Sequence, residues 1–167
     1  MELCLVRHAI AEERGPAWPD DSKRPLTPAG RERFAAAAPG LGALVAPTLV
    51  VSSPYARALE TADIVVSAFG LGGLHIEGSL AAGDHGAFVR ALDRRGAASV
   101  IAVGHEPYLT ELLSLLVTGD EGVLNTGFKK GGAALVSFAG GPQAGAGTLE
   151  WLVQPSALRA IARGARS

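Results

Sequence analysis

At 167 residues, 48% of them apolar, the chain has the size and composition of a single soluble folding unit spanning 1–167 rather than of a disordered chain. A net charge of −1 gives no general attraction to nucleic acid or anionic membranes, and no run of about 18 apolar residues is present to cross a bilayer. The single cysteine, Cys4, excludes an intrachain disulfide, and polar residues arriving at Arg7 leave no export signal at the start, so a cytoplasmic setting is expected.

The first predicted strand, Leu3 to Val6, delivers Arg7 and His8 side by side to its C-terminal end. Ala11 to Pro25 is polar, contains proline and is longer than most strand-to-helix connections, which makes it a candidate pocket wall. Thr27 before Pro28 combines a side-chain cap with a proline suited to the first helical position, and predicts a helix over Pro28 to Leu44. After a strand at Thr48 to Ser52, the same signal recurs in Ser53-Pro54 and predicts a helix to Phe69, with Arg57 in its first turn.

A short strand at Leu74 to Ile76 precedes a helix over His85 to Arg95. The next strand, Ser99 to Val103, is continuously apolar, as expected of a central strand covered on both faces. It ends in Gly104-His105-Glu106-Pro107, which turns into a helix over Pro107 to Val117. Two late strands, Ala133 to Phe138 and Thr148 to Val153, are linked across the Gly-rich stretch Gly140 to Gly147, and a helix over Ser156 to Arg163 follows. Strands alternating with helices read as α/β with a mainly parallel central sheet.

Three strand ends carry side chains suited to an oxyanion. In open α/β sheets ligands bind beyond the carboxyl ends of the strands. Arg7 and Arg57 can each offer two parallel hydrogen bonds to phosphate, helix-start amides add to the positive field, and His8 and His105 supply imidazoles. Taken singly, each has a plainer reading: a solvated strand end for Arg7-His8, an exposed helix position for Arg57, a structural imidazole for His105. Their recurrence at successive strand ends is what points to one site. Arg24 either extends the positive field from the long loop or supports that loop. Glu77, Asp84 and Glu106 are possible proton donors, although Asp84 also reads as a helix cap. The four histidines are scattered singly and no Gly-rich nucleotide loop is present, so no metal or cofactor is expected.

In order, Leu5-Val6-Arg7-His8, Ser52-Ser53-Pro54 with Arg57-Ala58 and Thr61-Ala62, and Gly104-His105 resemble the histidine phosphatase superfamily over most of the chain. Arg24-Pro25-Leu26-Thr27-Pro28-Ala29-Gly30 and the short length resemble its SixA-type phosphohistidine phosphatase branch. The resemblance implies a phosphoglycerate mutase-like three-layer sandwich and a covalent phosphohistidine intermediate. It makes His8 the nucleophile, Arg7 and Arg57 a phosphate clamp, and His105 a second imidazole on the phosphoryl group. Ala9 replaces the family's usual glycine, and no residue after the third strand clearly matches the family's acidic proton donor. A nitrogen leaving group needs such a donor least, which favours a phosphorylated signalling protein as substrate. Competing readings are a phosphomonoesterase for small phosphorylated metabolites and a catalytically silent phosphate-binding module.

Overall fold

In the computed structural model, which describes residues 1–165, six strands form one sheet. They are β1 (Glu2–Arg7), β2 (Leu49–Ser52), β3 (His75–Ile76), β4 (Ser99–Gly104), β5 (Ala133–Ser137) and β6 (Thr148–Val153), in spatial order β3-β2-β4-β1-β5-β6. The first four run parallel; β5 is added antiparallel to β1, and β6 antiparallel to β5, so that β6 again runs in the direction of the first four. The helices are α1 (Pro28–Ala35), α2 (Ala38–Gly42), α3 (Ala56–Phe69), α4 (Ser79–Ala82), α5 (His85–Arg95), α6 (Tyr108–Thr118) and α7 (Pro155–Gly164).

Alternation along the strands divides the core in two. Cys4, Val6, Ile101 and Val103 face Phe34 of α1, Leu41 of α2, Val65 of α3 and Leu158 of α7. Leu3, Leu5, Val100 and Ala102 face the opposite way, toward Phe88 and Leu92 of α5 and Leu112 and Leu113 of α6. The central β4 therefore has no polar face, as its continuous apolarity predicts, and each fully buried side chain of this kind contributes roughly 1.5–3 kcal/mol.

Local chemistry moves two helix boundaries away from expectation. The helix predicted over Pro28 to Leu44 is two helices, because Pro39 has no N–H to continue the first and instead occupies the first turn of α2. Pro54 is not the first helical residue either: Tyr55 is the N-cap of α3, and the Ser53 hydroxyl, 2.7 Å from His105 Nε2, accepts from the Tyr55 N–H only at 3.4 Å. Thr27 does cap α1, accepting from the Gly30 N–H at 2.9 Å. At Gly30 an added Cβ would lie 2.0 Å from the Ile10 carbonyl oxygen, so the absence of a side chain lets α1 lie against the segment that follows β1.

Register then places the strand ends. Arg7 pairs with Gly104 and Ser52 with Val103, so His8 and His105 both stand one residue past a paired position at the same sheet edge. The segment after β1 is tied back on itself by an antiparallel bridge between Ala11 and Leu26, and the Glu12 N–H donates to the Pro25 carbonyl at 2.9 Å. A long loop is thereby closed at its base and held over the edge where β1, β2 and β4 end.

Candidate active site

His8 and His105 are both buried, with ring centroids 5.2 Å apart. The His8 amide donates to the Gly104 carbonyl at 3.0 Å, continuing the β1–β4 ladder past its last pair. Nδ1 of His8 lies 2.7 Å from the carbonyl oxygen of Ala9. A carbonyl can only accept, so the proton of the neutral ring sits on Nδ1 and the lone pair on Nε2. The segment carrying this ring is fixed in turn by Thr61: the Ala9 N–H donates to Thr61 Oγ1 at 3.0 Å, and that hydroxyl donates to the Arg57 carbonyl at 2.6 Å.

His105 Nε2 lies 2.7 Å from Ser53 Oγ, which joins the ends of β4 and β2. Tyr55 packs against this ring at 4.9 Å between centroids, and its other neighbour is the Arg57 guanidinium, 4.9 Å from the phenol centroid. Arg57 reaches into the closed loop, donating from Nη1 to the Asp21 carbonyl at 2.8 Å and from Nη2 to its carboxylate at 3.0 Å. The same carboxylate accepts from Arg14 at 3.2 Å and from Arg24 Nε at 2.9 Å. Arg7 is held differently, by Nη1 donating to the Phe128 carbonyl at 2.6 Å. Among the described residues, the buried side-chain nitrogens without a hydrogen-bond partner are Arg7 Nε, Arg57 Nε and His105 Nδ1. All three belong to this cluster, and buried donors left without acceptors are uncommon.

Charge and burial set the protonation states. Burial pushes His8 down to about 3, against the pull of the Ala9 carbonyl and with help from His105, Arg57 and Arg7. His105 falls to about 4, again chiefly through burial and then through Arg57. Both rings are therefore neutral near pH 7. Burial also lowers Arg7 and Arg57, opposed by Glu106 for the first and Asp21 for the second. Asp21 itself would be raised by burial, but hydrogen bonds from Arg14 and Arg24 and the charge of Arg57 hold it well below the usual carboxylate range.

The structure thus brings together Arg7, His8, Arg57 and His105. Arg24 is committed to the loop through Asp21 and through the Glu12 carbonyl at 2.7 Å, yet its charge is close enough to depress both Arg57 and His105. The three possible proton donors all have structural work. Asp84 caps α5, accepting from the Ala87 N–H at 2.8 Å. Glu77 accepts from the Ser79 hydroxyl at 2.8 Å, and Glu106 accepts from the Phe128 N–H at 2.7 Å and the Thr110 hydroxyl at 2.9 Å. Tyr55, Asp21 and Phe128 complete the surroundings without having been singled out by residue type, and Ser53, read as a helix cap, joins them as the partner of His105. The only hint in the sequence was that Asp21 belongs to a loop too long for a simple connection. Among the described residues, no three His, Cys, Asp or Glu side chains are grouped to hold a metal ion.

Residues 3–89, just over half of the chain, match the model of the histidine phosphatase superfamily, branch 1. The chain belongs to the histidine phosphatase superfamily. Its fold is similar to that of the protein histidine phosphatase SixA complexed with tungstate, at 29% identity and a TM-score of 0.79, covering 95% of this chain and 99% of that one. A SixA structure from Nakamurella multipartitia is 26% identical with a TM-score of 0.72, covering 91% and 94% of the two chains. At 19% identity and a TM-score of 0.66, covering 90% and 97%, a mycobacterial glucosyl-3-phosphoglycerate phosphatase shares the phosphoglycerate mutase-like fold. Among curated protein sequences, none matches.

Proposed function

We propose that this histidine phosphatase hydrolyses phosphohistidine on a signalling or phosphorelay protein through a covalent intermediate on His8, without a metal. The observation that carries this reading is the hydrogen bond between His8 Nδ1 and the Ala9 carbonyl, which leaves Nε2 unprotonated among two arginines and a second imidazole. Nε2 attacks phosphorus as the bond to the leaving nitrogen breaks, giving phospho-His8 and the substrate's free imidazole. Water then attacks phospho-His8, releasing inorganic phosphate and restoring the ring.

Phosphoryl transfer asks the protein mainly for positioning and charge. Arg7, tethered through Nη1, and Arg57, tethered through both terminal nitrogens, supply fixed positive charge to the equatorial oxygens. A bound dianion would also favour protonation of His105, letting it donate to a phosphoryl oxygen. Glu77, Asp84 and Glu106 are all occupied by other donors, which favours a leaving group that departs without strong acid assistance. The names of the SixA relatives support the same substrate class. A substrate of that kind favours a cytoplasmic setting.

Acid-labile phosphoenzyme trapped by rapid quench tests the mechanism: label is expected on the native protein and absent from His8→Ala, and label persisting in that variant would remove His8 from its role. Comparing a phosphohistidine protein with sugar phosphates tests the substrate. A higher kcat/KM on the sugar esters would overturn the assignment in favour of a small-molecule phosphomonoesterase.

A further inference from the structure

Beside the crevice, a separate cavity of about 110 Å³ is walled by Ala9 and Ile10, by Pro155 at the start of α7, and by three cations, Arg33, Lys130 and Arg159. We propose that this cavity is a docking subsite for carboxylate side chains on the surface of the phosphohistidine protein, an inference that rests on the substrate class proposed above.

The cations arrive from three different elements: α1, the loop before β5, and α7. No acidic residue lines the cavity, and none of the three cations makes an ion pair among the described residues. By contrast, Arg14, Arg24 and Arg57 pair with Asp21, Arg31 with Glu60 and Arg95 with Glu77. In a protein of net charge −1, three uncompensated charges converging on one concavity form a local field with a definite complement. The volume suits a carboxylate and not a whole drug-sized ligand, for which pockets run to about 300–1,000 Å³.

Its position fits the same partner. Ala9 follows His8 directly, so the cavity wall begins about 4 Å along the chain from the proposed nucleophile. Lys130 precedes Gly131, whose N–H lies 3.1 Å from both the Arg7 and His8 carbonyls. Yet Arg7, His8, Arg57 and His105 do not line the cavity. A small phosphate ester seated on His8 therefore leaves it untouched, whereas a docked protein covers roughly 800 Å² and spans both.

The test compares native protein with Arg33→Glu, Lys130→Glu, Arg159→Glu and the triple variant. The substrates are a phosphotransfer domain phosphorylated on histidine and free phosphohistidine. The triple variant should lose about 10- to 100-fold in kcat/KM on the phosphorylated domain, mostly in KM, with a shallower salt dependence. Its activity on free phosphohistidine should stay within about twofold, which also reports that it folds. Unchanged activity of the triple variant on the domain would overturn the docking site alone. Equal losses on both substrates would assign the cations to the crevice and overturn it as well. A native enzyme no faster on the domain than on free phosphohistidine would overturn the protein-substrate reading and this inference with it.

Discussion

Glu106 lies next to His105 in sequence, and its substitution separates a proton donor from a brace. Its Oε1 accepts from the Phe128 N–H at 2.7 Å, and the Phe128 carbonyl accepts from Arg7 at 2.6 Å, so the carboxylate acts on the phosphate clamp through the backbone of one residue. Glu106→Gln keeps an acceptor for that N–H and removes the charge that favours the protonated guanidinium. A loss of no more than about tenfold in kcat/KM is expected, equal for phosphohistidine and for alkyl phosphates. Glu106→Ala leaves the Phe128 N–H without its acceptor, which costs about 1–3 kcal/mol of stability. Released from that anchor, Arg7 loses its fixed geometry, and kcat/KM should fall further on every substrate alike. A general acid behaves otherwise: its removal costs about 100- to 10,000-fold, concentrated on poor leaving groups. The assay is kcat/KM against leaving-group pKa for both variants, with thermal denaturation alongside. A Glu106→Gln variant that loses more than 100-fold on alkyl phosphates alone, together with one limb of the pH profile, would refute the bracing role.

Because His8 and His105 titrate near 3 and 4 in the folded protein against about 6.5 when unfolded, the unfolded chain takes up protons first. Stability should therefore be full above about pH 6.5 and decline below it, by up to about 1.4 kcal/mol per pH unit for each ring; a flat denaturation midpoint between pH 7 and 5 would contradict this. Thr61→Ala strips the acceptor from the Ala9 N–H and should cost about 1–3 kcal/mol in denaturant unfolding, with Thr61→Ser largely restoring it. Gly30→Ala drives a methyl to within 2.0 Å of the Ile10 carbonyl oxygen, so α1 must shift. A destabilisation of about 1–3 kcal/mol or more is expected, and an unchanged melting temperature would show that the helix moves freely.

The sheet and the strand ends were legible because periodicity and capping are local. Ser99 to Val103 announced a central strand by having no polar face, and Arg7, His8, Arg57 and His105 could be grouped because parallel strands end at one edge. What escaped was set by distance along the chain. Asp21 meets Arg57 across 36 positions, and nothing about an aspartate in a polar loop specifies that partner. Ser53 carried a correct chemical signal, an oxygen acceptor before proline, but His105 claims the hydroxyl and the helix starts later. Pro39 stands within the helix predicted over Pro28 to Leu44, and its missing N–H divides that span into α1 and α2.

The grip of Asp21 on Arg57 concerns freedom of motion as much as charge. A free arginine side chain gives up about 2 kcal/mol of rotamer entropy when it is immobilised. Here both terminal nitrogens are already held, so that loss is met once, when the chain folds, and does not recur at each encounter with a phosphoryl group. The guanidinium meets its ligand as a rigid body, with Nε still unpartnered.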